Sequence, residues 1–205
     1  MTHNHPHQSQ TGITRRTVAR GMAWTAPAVG IAAAAPAFAA SPSLRFTLSC
    51  ACKLPGGSCG IPGTKFGYNF YFSATNSGAA ATVDSITFSQ PKDLGATTDA
   101  NFTLTYGGPS ISVPVGSTNI PVEVLAQSTN SANQPFYTTM TVIYHHDGYA
   151  NDSHTLQYCI VIKDTPPQCA CNTQTGVISA PAACSNACAI DGPCPTSPLP
   201  TATSC

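Results

Sequence analysis

From Leu44 onward the chain repeats one pattern: short runs in which apolar and polar side chains alternate, each closed by a cluster of Gly, Asn, Ser, Pro or Asp. Leu44, Phe46, Leu48 and Cys50 alternate against Arg45, Thr47 and Ser49, and Phe66, Tyr68, Phe70 and Phe72 alternate up to a turn at Asn76-Ser77-Gly78. Ile86 and Phe88 follow, then Phe102, Leu104 and Tyr106, then Ile111, Val113 and Val115, then Ile120, Val122 and Val124. The last runs are Phe136 to His146 and His154 to Lys163. A period of two puts every second side chain on one face of an extended strand, and no stretch beyond Ala40 carries a convincing helical period. About eight short strands at this spacing predict an all-β fold, a sandwich of two antiparallel sheets. Its inner faces take the aromatic and β-branched residues, and its outer faces take Thr, Ser and Asn.

The first forty residues differ in kind. A polar stretch ending in Thr14-Arg15-Arg16-Thr17-Val18-Ala19-Arg20 leads into a mildly apolar run from Gly21 to Ala34, the layout of a cleaved signal peptide. Small residues at Ala37 and Ala39 fit a signal peptidase site, with cleavage between Ala39 and Ala40. The paired Arg15 and Arg16, preceded by Thr14, resemble the twin-arginine export motif. They depart from it at Val18 and Ala19, where Phe and Leu are commoner, and an ordinary secretory signal is the alternative. The apolar run is shorter than the roughly 20 residues a bilayer requires, so no membrane span is expected after cleavage. His3, His5 and His7 lie upstream of the arginines and are read as solvated leader.

Without residues 1–39 the chain keeps five basic against eight acidic side chains, since Arg15, Arg16 and Arg20 leave with the leader. That balance recruits no nucleic acid and no acidic membrane surface. All ten cysteines remain: Cys50, Cys52, Cys59, Cys159, Cys169, Cys171, Cys184, Cys188, Cys194 and Cys205. An even count in an exported protein reads as a disulfide framework, although roughly a thousand complete pairings are open. The cysteines group at the two ends of the β region, so the groups are candidates for cross-linking to one another. A link such as Cys50 to Cys159 would close a loop of about 100 residues and stabilise by roughly 4–5 kcal/mol on chain entropy. Residues 165–205 carry seven prolines, six cysteines, no aromatic residue and a single charge, Asp191. They cannot build an apolar core of their own, and cross-links, a metal or flexibility are the three readings. The predicted organisation is a signal peptide at 1–39, a sandwich at 40–164 and a Cys/Pro-rich tail at 165–205.

The segment Tyr68-Asn69-Phe70-Tyr71-Phe72-Ser73-Ala74-Thr75-Asn76-Ser77-Gly78, followed by Val83 to Phe88, resembles strands of the CARDB-like bacterial immunoglobulin-type repeats, where a strand ends in Thr-Asn-x-Gly. The resemblance implies an immunoglobulin-like antiparallel sandwich and a role in adhesion, envelope structure or spacing of modules.

Few residue groups suggest chemistry. Cys169, Cys171, Cys184 and Cys188 are enough thiols for a four-sulfur zinc site, but the Cys-x-x-Cys knuckle is missing. Its absence also argues against a thioredoxin-like redox centre. His145-His146-Asp147 with His154 nearby reads either as a metal or hydrolase site or as a polar hairpin tip, and the tip is the simpler account. Adjacent strand residues point to opposite faces, so at most one of His145 and His146 can join His154. Glu123, the only glutamate, with Lys65 and Asn151 would be needed for an internal isopeptide bond; an exposed outer-face Glu is the simpler reading. Tyr71, Tyr137 and Tyr149 are candidates for a small sugar-binding patch, although the only tryptophan, Trp24, belongs to the leader. The sequence therefore predicts a secreted or envelope-associated, disulfide-stabilised, non-enzymatic interaction protein, with no catalytic residue, metal or cofactor and an unknown extracellular or cell-envelope partner. The alternative is a metal-binding or redox-responsive protein using the C-terminal cysteines, and a hydrolase built on His145 or His154 ranks third.

Overall fold

The alternating runs do form strands. The computed structural model describes residues 43–55, 66–130, 133–149, 151–172, 174–175 and 177–205; Arg15, Arg16, Ala37, Ala39, Cys59 and Lys65 lie outside them. In chain order the strands are β1 (Leu44–Lys53), β2 (Gly67–Asn76), β3 (Ala81–Phe88), β4 (Lys92–Asp93), β5 (Leu104–Tyr106) and β6 (Ile111–Val113). They continue with β7 (Ile120–Ser128), β8 (Phe136–His146), β9 (His154–Ile162), β10 (Ala170–Asn172), β11 (Val177–Ser179) and β12 (Ala187–Asp191). One sheet has the order β1-β2-β7-β5 and the other β12-β9-β8-β3-β6, with β4 also on β8. All strand pairs are antiparallel. Counted along the chain, this is the A-B-E-D sheet facing a C-F-G sheet of the immunoglobulin sandwich. The second sheet is extended by β6 beyond β3 and by β12 beyond β9.

The inner faces carry most of the predicted aromatic and branched residues, but Val115, expected to point inward, lies past the end of β6 and is exposed. Tyr68, Phe70, Phe72, Val122 and Val124 from the first sheet meet Val83, Ile86, Phe136, Met140, Val142 and Ile160 from the second in one buried cluster. Rings bridge the sheets edge to face: Tyr68 lies 5.2 Å from Phe136 and Phe46 lies 6.3 Å from Tyr158. Such pairs add to area burial because ring edges and faces carry opposite partial charge.

Two β-bulges alter the alternation. In β1 the register shifts between Leu48 and Cys50, so that Ala51 joins the main core while Cys52 packs with Leu54 and Cys169 in a separate cluster. The parity that placed Cys50 inward with Leu44, Phe46 and Leu48 therefore ends at the bulge, because the extra residue turns the following side chains over. In β3 the shift falls between Val83 and Ser85 and leaves Asp84 exposed.

The C-terminal stretch marked off by composition is built into the sandwich. β12 pairs with β9 along Ala187–Asp191, and Ile178 of the β10–β11 hairpin packs, as Tyr71 and Leu125 do, against the cluster of Cys52, Leu54 and Cys169. On the outer face of the second sheet, Cys188, Ile190, Cys194 and Leu199 cover Tyr137, Cys159 and Val161. This covering explains why Tyr158 to Ile162 are buried without alternation and why the outer face is not uniformly polar. The edge of β1 is satisfied in the same way. Lys53 N–H donates to Pro167 O at 2.9 Å and Cys169 N–H to Lys53 O at 2.9 Å. The buried Asn186 side chain accepts from Ala51 N–H and donates to Ala51 O, both at 3.0 Å. An edge strand left bare would be a template for aggregation.

The Thr75-Asn76-Ser77-Gly78 turn has a specific role. Asn76 is fully buried, and its Nδ2 donates to Ala79 O at 2.7 Å and Val113 O at 3.2 Å while its Oδ1 accepts from Gly78 N–H at 3.0 Å. A Cβ on residue 78 would come within 2.5 Å of Ser43 Cβ, so glycine is required there for close approach. Asn76→Ala is expected to cost about 2–4 kcal/mol, since it leaves buried carbonyls and an N–H unpaired; urea denaturation checks this.

Tyr158 links the sheets, accepting a hydrogen bond from Phe46 N–H at 3.0 Å. Burial pushes its phenol up to about 12, so the folded state holds the proton longer than the unfolded chain. The stability this group contributes is present below about pH 10 and lost as pH rises through about 12. Tyr158→Phe should cost about 1–3 kcal/mol at pH 8 by orphaning Phe46 N–H, and the gap to wild type should narrow in denaturation at pH 11.

Candidate functional site

The two ends of the sandwich differ. At one end, the far end of β1 brings Cys50 to Cys184 and Cys52 to Cys169, with Cα separations of 5.4 and 5.0 Å. Cys159 on β9 joins Cys194 at 4.4 Å, and Cys188 on β12 joins Cys205 at 6.0 Å. Cys171 is also disulfide-bonded, and among the described residues no cysteine is free. The illustrative Cys50–Cys159 link is thus replaced by two others. β1 and β9 lie in opposite sheets, and the C-terminal segment, threading between their edges, reaches each cysteine first. A disulfide sulfur offers no thiolate to a metal, so the four-sulfur zinc reading does not hold for the oxidised chain.

The other end carries the histidines. His146 closes β8, His154 opens β9, and Asp152 sits in the connecting loop, where Gly148 and Asn151 adopt positive φ of 85° and 68°. The Asp152 carboxylate lies between the two rings: Oδ2 is 2.6 Å from His146 Nδ1 and Oδ1 is 2.6 Å from His154 Nε2. His146 N–H also donates to Asp152 Oδ2 at 3.1 Å. Burial raises the Asp152 carboxyl, but the ring and backbone hydrogen bonds from His146 and the charges of His154 and His146 outweigh it and hold it below the usual carboxylate range. Tyr144, buried beneath, stacks on His154 at 5.1 Å and meets His146 edge-on at 5.6 Å. On the far side of His146, Nε2 is 2.9 Å from Ser43 Oγ. An open cavity of about 630 Å³ lies beside these groups, lined also by Gly78, Ala79, Tyr149 and Asn151.

As strand geometry requires, His145 points away from this group and pairs with Asp84 at 2.9 Å on the other face; that hydrogen bond raises its imidazole. The cluster is more than the polar hairpin tip the sequence suggests. It also includes Ser43, 103 residues from His146, for which the sequence carries no local signal. Ser43, His146 and Asp152 have the spacing of a nucleophile, base and orienter. Acyl transfer also needs donors for an oxyanion. The nearest backbone donors on the β2–β3 turn are engaged, Ser77 N–H by Ser43 O and Gly78 N–H by Asn76 Oδ1.

The remaining candidates separate. Glu123 is exposed and accepts a hydrogen bond from Asn69 at 3.2 Å, while Asn151 lines the histidine cavity. Tyr71 packs against the cluster of Cys52, Leu54 and Cys169, Tyr137 is buried with its hydroxyl on Ala96 O at 2.8 Å, and Tyr149 is exposed on the β8–β9 loop. They form no common patch, because the C-terminal segment covers the first two. Compared with protein-family models, curated proteins and solved structures, the chain matches none.

The disulfides Cys50–Cys184 and Cys52–Cys169 span 134 and 117 residues. With either one in place, the other closes a loop of only about 17 residues. Replacing either pair by alanine should therefore cost about 3 kcal/mol. Guanidinium denaturation of the two single-pair variants measures this.

Proposed function

We propose that this chain is an exported, non-enzymatic protein of the bacterial cell envelope or surrounding medium, delivered by the twin-arginine-type leader at residues 1–39 and acting as an interaction or structural module. The observation that carries the reading is the disulfide framework. Three of its bonds tie the C-terminal segment to strands of both sheets, an architecture suited to an oxidising compartment. The CARDB-like reading of Tyr68 to Phe88 is supported by the sandwich order and by the work Asn76 does in the turn. The loops after β2 and β8 stand clear of the disulfide-wrapped end, and loops on a rigid sandwich are its usual contact surface. Among the described residues no helix is long and apolar enough to cross a membrane. A hydrolase using Ser43, His146 and Asp152 is the second reading, favoured by their spacing and weakened by the occupied donors beside Ser43.

Intact mass of the protein recovered from culture supernatant, with and without reduction and alkylation, tests the main reading. A chain beginning near Ala40 and about ten hydrogens lighter before reduction is expected. Retention of residues 1–39, or alkylation without prior reduction, would overturn it.

A further inference from the structure

We propose that His146, Asp152 and His154 form a three-ligand binding site for a divalent transition-metal cation, with zinc the best fit. One ligand atom from each lies within 4.8 Å of the others. They come from the end of β8, the loop and the start of β9, so one hairpin supplies the whole set. Tetrahedral zinc at about 2.0–2.1 Å from each ligand sets those atoms roughly 3.3 Å apart. Each ring lies 2.6 Å from a different carboxylate oxygen, and with the ligand atoms at most 4.8 Å apart shifts of about 1–2 Å reach that spacing as the ion replaces the ring protons.

The surroundings hold the ligands in that pose. Ser43 Oγ at 2.9 Å from His146 Nε2 can accept that nitrogen's proton as a hydrogen bond, which leaves Nδ1 unprotonated for the metal; an outer partner of this kind orients most metal-bound imidazoles. Tyr144 packs against both rings, whose centroids are 4.8 Å apart, and the His146 backbone holds the carboxylate. Two imidazoles with one carboxylate select zinc, copper, nickel or iron over calcium and magnesium, which take oxygen donors. The adjoining cavity of about 630 Å³ leaves the fourth coordination position to water or to a carboxylate or imidazole of a binding partner.

The test uses the full chain with its disulfides intact and His3, His5 and His7 each replaced by alanine, which removes the leader's competing imidazoles. After chelator treatment and dialysis, ZnCl₂ is titrated by calorimetry, with Co²⁺ absorption as a second probe. One ion per chain is expected, with affinity falling at least about tenfold in His154→Ala and Asp152→Asn and unchanged in His145→Ala. Thermal melts in chelator establish that the variants fold, and His154→Phe, which keeps the stack on Tyr144, replaces His154→Ala should that variant unfold. Absence of saturable Zn²⁺ uptake, or uptake that persists at full strength in the folded His154 and Asp152 variants, would overturn the proposal.

Discussion

The closing of the β1 edge by the C-terminal segment is the contact on which the other features rest. β1 lies at the margin of its sheet and, left bare, would present unpaired backbone groups beside an aromatic core. Backbone pairing at Lys53, the Asn186 side chain on Ala51 and two disulfides from Cys50 and Cys52 answer that problem together. The same segment then runs on as β12 along β9, so one stretch of chain seals an edge of each sheet. The exposed Arg45–Asp191 ion pair at 2.8 Å crosses the same seam, and as a solvent-exposed pair it adds little to stability.

Sealing one end leaves the other available. Ser43 at the start of β1, the Asn76–Gly78 turn and the β8–β9 hairpin converge at the opposite end, and the fit between Gly78 and Ser43 brings the serine to His146. The sandwich thus has one end covered by cross-linked chain and one end formed by loops. The cation site sits on that loop-bearing end and gives it a defined chemistry.

Much of the sandwich was legible because burial of one sheet face forces a two-residue period, and β2, β7 and β8 show it plainly. Positions where one extra residue enters were not legible. The bulge after Leu48 turns Cys50 and Cys52 toward the C-terminal segment, and nothing in the local composition announces it. Residues 165–205 lacked any apolar period because their short strands are held by disulfides and by surfaces belonging to other strands. The expectation that only one of His145 and His146 could reach His154 followed from strand geometry alone, whereas the participation of Asp152 and Ser43 depended on loop conformation and on packing between distant turns.

By itself the sequence determined the fold class, most residues of the inner faces and the cysteine-rich character of the chain, since these follow from periodicity and composition along a strand. The pairing of the cysteines and the gathering of Ser43, His146, Asp152 and His154 were decided only by tertiary structure. Both depend on distances of a few ångströms between residues that are mostly far apart in the chain, and those distances are set by how the two sheets stack and where the bulges fall.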